Sequence, residues 1–181
     1  MSALIRVDLM LREAVATPYR DLVTRPTGAA VRDRVLIELR DSSDDDAQLD
    51  FSEVGLMDFS CADEVIAKLL VAILEQPMQR LMLRGVHDNH ADAIEHALAR
   101  YDLVIVAIGI ESTEPHLLGS APEDWRDAFR TLIRMGRAAA APVAEALSWP
   151  VPRTVDALQG LARRRCVVAY PDATFELGAV A

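Results

Sequence analysis

The side chains whose types and spacing could do chemistry concentrate in residues 48–70, QLDFSEVGLMDFSCADEVIAKLL. The pattern reads as a short buried strand over 48–51, a loop around Gly55, and an apolar turn at Leu56-Met57. This turn delivers Asp58, Phe59 and Ser60 to the start of an amphipathic helix over 60–75, closed by Pro77. A hydroxyl at a helix mouth satisfies orphan N–H groups of the first turn, and the aligned peptide dipoles there also favour a phosphate dianion. Ser60 therefore has two readings. One is structural, because Ser60-Cys61-Ala62-Asp63 has the spacing of a capping box. The other is regulatory: a phosphoryl group on Ser60 would set about two negative charges beside Asp58, Asp63 and Glu64, with no arginine near in sequence, and would expel a docked partner.

Other reactive residue types read more plainly. His87, His90 and His96 lie around Asp88 and Glu95, but no two share a helical face with an acid between them, so they read as capping or exposed residues and not as metal ligands. Cys61 stands where a helix dipole can lower a thiol pKa, yet has no adjacent histidine and reads as a small buried hydrophobe. The acidic run at 41–46, DSSDDD, lacks the spacing and glycine turn of a calcium loop and reads as a solvated connection. There is no glycine-rich phosphate loop and no nucleophile elbow. The expectation is a protein without catalytic residues, metal or cofactor.

Leu49-Asp50, Met57-Asp58 and Ser60 resemble the STAS domain, the fold of bacterial anti-sigma factor antagonists, over roughly residues 28–110. In that family a serine at the position of Ser60 is phosphorylated by a partner kinase. The resemblance implies a GHKL-type serine kinase or an anti-sigma factor as partner, docking at Asp58, Ser60, Asp63 and Glu64. The chain departs at Cys61, where the antagonists usually carry Gly. Its Ser60-Cys61-Ala62-Asp63-Glu64 run is similar to STAS-like proteins of unassigned function.

At 181 residues, 51% hydrophobic and 26% charged, the chain has globular composition and room for one mid-sized domain or two small ones. Its apolar runs are too short to cross a bilayer, and its two cysteines, far apart, suit a reducing compartment, so a cytoplasmic location is expected. Residues 1–120 hold 11 Lys/Arg against 21 Asp/Glu, whereas residues 121–181 hold 8 against 7. The first part repels nucleic acid; the second does not. A boundary is expected in the polar, proline-containing stretch 111–122, giving domains at 1–114 and 118–181.

The elements that must position Ser60 follow from periodicity. Residues 3–7 suit an edge strand, and 8–17 suit either helix or strand. Val31, Val35, Leu36 and Leu39 share one face of a helix over 28–40. Strands at 80–84 and 102–108 bracket a helix from Asp88 to Arg100, with Asp88 as cap. Strands alternating with helices imply crossovers and an α/β fold with a partly parallel, mixed sheet, consistent with a STAS-like layer.

Beyond the boundary, helices are expected over 122–135 (Trp125, Phe129, Leu132 and Ile133 inward), 140–147 and 151–165. Ala144, Leu147, Val155, Leu158 and Leu161 are expected in their core. A hairpin over 166–177 turns at Pro171-Asp172. This run resembles a winged helix-turn-helix domain. The resemblance implies a recognition helix with Arg153 and Thr154 near its start and Arg163 and Arg164 near its end. Against DNA binding stand Asp156 on that helix and a wing carrying Asp and Glu but no Lys or Arg. Homodimerisation, protein docking or membership of a larger assembly is the competing role.

Overall fold

A computed structural model describes residues 2–16, 18–42, 44–76 and 80–178. The chain divides into two compact units, residues 1–120 and 121–181. Pro77, read as the stop of the helix begun near Ser60, and Ser43 of the acidic run lie outside the described residues.

The first unit runs β1 (Ser2–Arg6), α1 (Val7–Val15), α2 (Arg25–Asp41), β2 (Asp46–Asp50), α3 (Phe59–Ala62), a π-helical segment (Asp63–Lys68), α4 (Leu69–Leu74), β3 (Arg80–Val86), α5 (Asp88–Ala99), β4 (Val104–Gly109) and β5 (Pro115–Gly119). The strands lie side by side in chain order. β1 to β4 are parallel and β5 returns antiparallel. The register aligns Ile5, Leu49 and Leu83 across neighbouring strands, and Leu83 with Ala107. Side chains alternate between sheet faces, so this row shares one face, and it enters the same buried cluster as Leu11, Val31, Val35, Ile66, Leu69, Ile94 and Leu98 of the helices. Parallel strands taken in sequence with crossovers of one hand place their helices on one face, which is the observed arrangement.

Local sequence accounts for these helices. α2 buries Gly28, Val31, Val35 and Leu39 and α5 buries His90, Ile94, Ala97 and Leu98, each at three- and four-residue spacing. Residues 8–15, which suited either state, are helical. Residues 111–122, expected to link two domains, instead contain β5, which pairs with β4 from Val104↔Gly119 to Ile108↔Pro115. Its five residues were too few and too interrupted by polar neighbours to read as a strand. α5 begins one residue earlier than expected, with His87 as its N-cap and Asp88 inside the first turn.

The second unit runs α6 (Glu123–Met135), β6 (Ala138–Ala139), α7 (Ala140–Leu147), α8 (Val151–Arg163), β7 (Val168–Ala169) and β8 (Thr174–Glu176), with a small antiparallel sheet ordered β6-β8-β7. Ala128, Phe129, Leu132, Val143, Ala144, Leu158, Leu161 and Phe175 are buried. Trp125, Ile133, Leu147 and Val155, expected inside, are only half-buried, while Thr154 is fully buried. α8 is thus rotated from the face its apolar residues alone suggest. Gly160 sets the packing of α6 on α8, because a Cβ there would stand 2.4 Å from the Trp125 ring. Among the described residues no helix is long and apolar enough to cross a membrane.

Candidate functional site

The mouth of α3 is built from two chain segments. Residues 20–24 run beside 55–58 through Gly55 N–H to Arg20 O (2.9 Å), Leu22 N–H to Leu56 O (2.8 Å) and Asp58 N–H to Leu22 O (2.9 Å). The pairing of Leu22 with Met57 turns both side chains inward. Val23, Leu56 and Phe59 are left exposed around the helix start.

Asp58, and not Ser60, is the N-cap. Its Oδ1 accepts the Cys61 N–H and the Ser60 hydroxyl, each at 2.8 Å, and its Oδ2 accepts the Thr24 N–H at 2.9 Å. Burial pushes the Asp58 carboxyl up, but the donors from Thr24, Cys61 and Ser60 outweigh it and hold the group below the usual carboxylate range. Ser60 is half-buried at the second helical position. Thr24 has φ 73°, a left-handed value that a β-branched residue rarely adopts. It is fixed there by Asp58 and by the Cys61 thiol, which donates to the Thr24 carbonyl at 3.1 Å. Cys61 is fully buried, and burial followed by the Asp58 charge pushes its thiol up to about 12. The lowered pKa that a helix start can impose is therefore overridden.

Asp63 and Glu64, expected as partner contacts, are 1% and 3% exposed and lie beneath the surface. They open the π-helical segment, a form frequent at functional sites. Arg25 Nη1 is 2.6 Å from both Asp63 Oδ2 and Glu64 Oε1. Arg32 and Lys68 also bond Glu64, and Arg100 Nη1 lies 3.5 Å from Asp63 Oδ1. Burial pushes both carboxyls up, and hydrogen bonds from Arg25 to Asp63, and from Lys68 and Arg25 to Glu64, hold both below their ordinary values. Four cations therefore gather on Asp63 and Glu64, three and four residues after Ser60, where the sequence placed no arginine nearby. The i,i+4 pair Glu64–Lys68 was legible. Arg25 and Arg32 come from 32 to 39 residues away and carried no local signal. Arg100 also stacks over the Phe59 ring at 5.7 Å, and His96 meets that ring edge-on at 6.4 Å.

In the second unit the four residues read as DNA contacts differ in their surroundings. Arg153 donates to both oxygens of Asp124 at 2.6 and 2.8 Å and lies over the Trp149 ring at 4.0 Å. Thr154, expected near the start of a recognition helix, is fully buried. Arg163 is exposed and lines a cleft with Trp125, Arg153 and Asp156, and Arg164 is half-buried. In the wing, Arg137 donates to Asp172 at 2.8 Å and covers the Tyr170 ring at 3.8 Å. Among the described residues no three His, Cys, Asp or Glu side chains come together as a metal-binding group.

No protein-family model, curated protein or solved structure matches the chain.

Proposed function

We propose that the chain is a non-catalytic regulatory adaptor that docks a protein partner at the mouth of α3, with Ser60 as a charge switch. The observation that carries this reading is the Asp58–Ser60 pair. The serine hydroxyl is half-buried at a dipole-rich helix start, held by a carboxylate, with Leu56 60% and Phe59 39% exposed on either side. Exposed apolar side chains beside a fixed polar group are what a protein interface needs. Arg25 and Arg100 pair with the neighbouring Asp63 and Glu64 and so reduce the like-charge repulsion that a phosphoryl group on Ser60 would meet from those two carboxylates.

The sheet with helices on one face supports the STAS-like reading of the first unit, and with it a GHKL-type serine kinase or anti-sigma factor as partner. The order helix, short strand, helix, helix, hairpin supports a winged-helix reading of the second unit. With Arg153 paired and Thr154 buried, we assign that unit to protein docking rather than DNA. The test is a photo-crosslinking amino acid at position 56, compared with one at exposed Leu4 of β1, in cells of the native host. A protein captured at position 56, not at position 4, and lost on Phe59→Arg supports the assignment. The same captures at both positions would refute it.

A further inference from the structure

His90 is completely buried, with Nε2 2.5 Å from the Gly55 carbonyl and Nδ1 facing the His87 N–H at 3.4 Å. A carbonyl only accepts, so Nε2 carries the proton and Nδ1 presents its lone pair to that N–H. Both polar atoms of the neutral ring are thus used. A second proton on Nδ1 would set two donors face to face. The ring also lies edge-on to Phe51 and 4.9 Å from the ring of His87, whose Nε2 is 3.1 Å from the Ser52 carbonyl. Two imidazoles at the start of α5 therefore hold the two ends of the 52–55 turn.

That turn leads directly to Leu56, Asp58 and Ser60. Its inner side is tightly fitted: Gly85 has φ 65°, and a Cβ there would stand 2.0 Å from Ser52 Oγ. The charged groups around it are bonded elsewhere. Asp50 takes the Ser52 N–H (2.9 Å) and hydroxyl (2.6 Å), Asp21 takes the Leu56 N–H (2.8 Å), and Glu53 pairs with Arg20 (2.9 Å). Asp88 follows His87 in the first turn of α5.

We propose that His90 is a proton-operated latch: a second proton on Nδ1 is set against the His87 N–H, the charged ring leaves its buried position, and with it goes the strut between α5 and the Gly55 turn that seats the Leu56 to Ser60 edge. Burial favours the neutral ring, and His87 adds to that preference against the opposing pull of the Gly55 carbonyl. The latch stands on its own geometry, whereas its meaning as control of docking rests on the function proposed above.

The test is an NMR titration of the full ¹⁵N-labelled chain from neutral to acid pH, following the His90 ring nitrogens and the amides of Gly55, Leu56 and Ser60. The expected result is a neutral Nε2–H ring that persists below the ordinary imidazole range near 6.5, and three amides that shift with the His90 midpoint. His90→Gln removes the coupled amide transition. A ring that titrates near 6.5 with those amides unmoved would overturn the latch, as would an amide transition that survives in a folded His90→Gln chain. If that variant does not fold, the wild-type titration alone decides. Partner affinity is not used, so failure of the docking reading leaves this result intact.

Discussion

The Ser60 hydroxyl donates to Asp58 Oδ1 at 2.8 Å, and the same oxygen takes the Cys61 N–H at 2.8 Å. The helix cap and the candidate switch therefore share one acceptor. Asp58→Ala is expected to cost about 1–2 kcal/mol through loss of the cap. Ser60→Ala should cost about 1 kcal/mol or less, the net value of one hydrogen bond. Urea denaturation of both variants checks the order. A larger loss for Ser60→Ala would return the cap to Ser60.

Asp58, Asp63 and Glu64 all have carboxyls held below their ordinary values in the folded chain. Between the folded and unfolded values the unfolded chain binds more protons, so stability rises with pH there. Their contribution is fully present above the unfolded values near 4 and is lost as pH falls through the folded ones. Glu64→Gln should flatten the slope of unfolding free energy against pH between about 5 and 3. Arg25→Ala should lower the thermal midpoint at pH 7 and lower it less at pH 3. An unchanged acid slope in Glu64→Gln would show that the cluster does not couple to folding.

The alternation of strands and helices was legible because the Leu81 to Leu83 and Val31 to Leu39 patterns have clear periods of two and about 3.6. The helix mouth at Asp58 to Ser60 was legible in outline, but its cap was assigned to Ser60 because the capping-box spacing ignores Asp58 two residues earlier. The ion cluster was not legible, since Arg25, Arg32 and Arg100 meet Asp63 and Glu64 only through tertiary packing. Likewise, nothing local marks His90 as a buried strut or Thr154 as core. Of the two His90 partners only the His87 N–H is local, while the Gly55 carbonyl that makes the ring a strut comes from another segment.

Gly28 lets α2 approach α3 closely, because a Cβ there would stand 2.9 Å from Cys61 Cα and 3.1 Å from Glu64 Cβ. Gly28→Ala is expected to destabilise the chain by about 1–3 kcal/mol through overpacking, despite the helix preference of alanine. Thermal denaturation gives the sign, and a stabilised variant would mean that the two helices part without cost.

Residues 1–120 and 121–181 each carry a buried core, so each should give a dispersed amide spectrum when expressed alone. The second is expected to bind duplex DNA weakly and without sequence preference, because Arg153 is paired and Thr154 buried. Titrations at two salt concentrations measure this. Sequence-selective binding with a log–log salt slope steeper than about −5, which takes about six phosphate contacts, would restore a DNA-reading role.

The central claim is that charge at Ser60 controls docking. It is tested by the affinity of the partner crosslinked at position 56 for two forms of the full chain, one with Ser60 and one with phosphoserine incorporated there. The account predicts at least about tenfold weaker binding to the phosphorylated form, which corresponds to about 1.4 kcal/mol. Equal affinities for the two forms would contradict it.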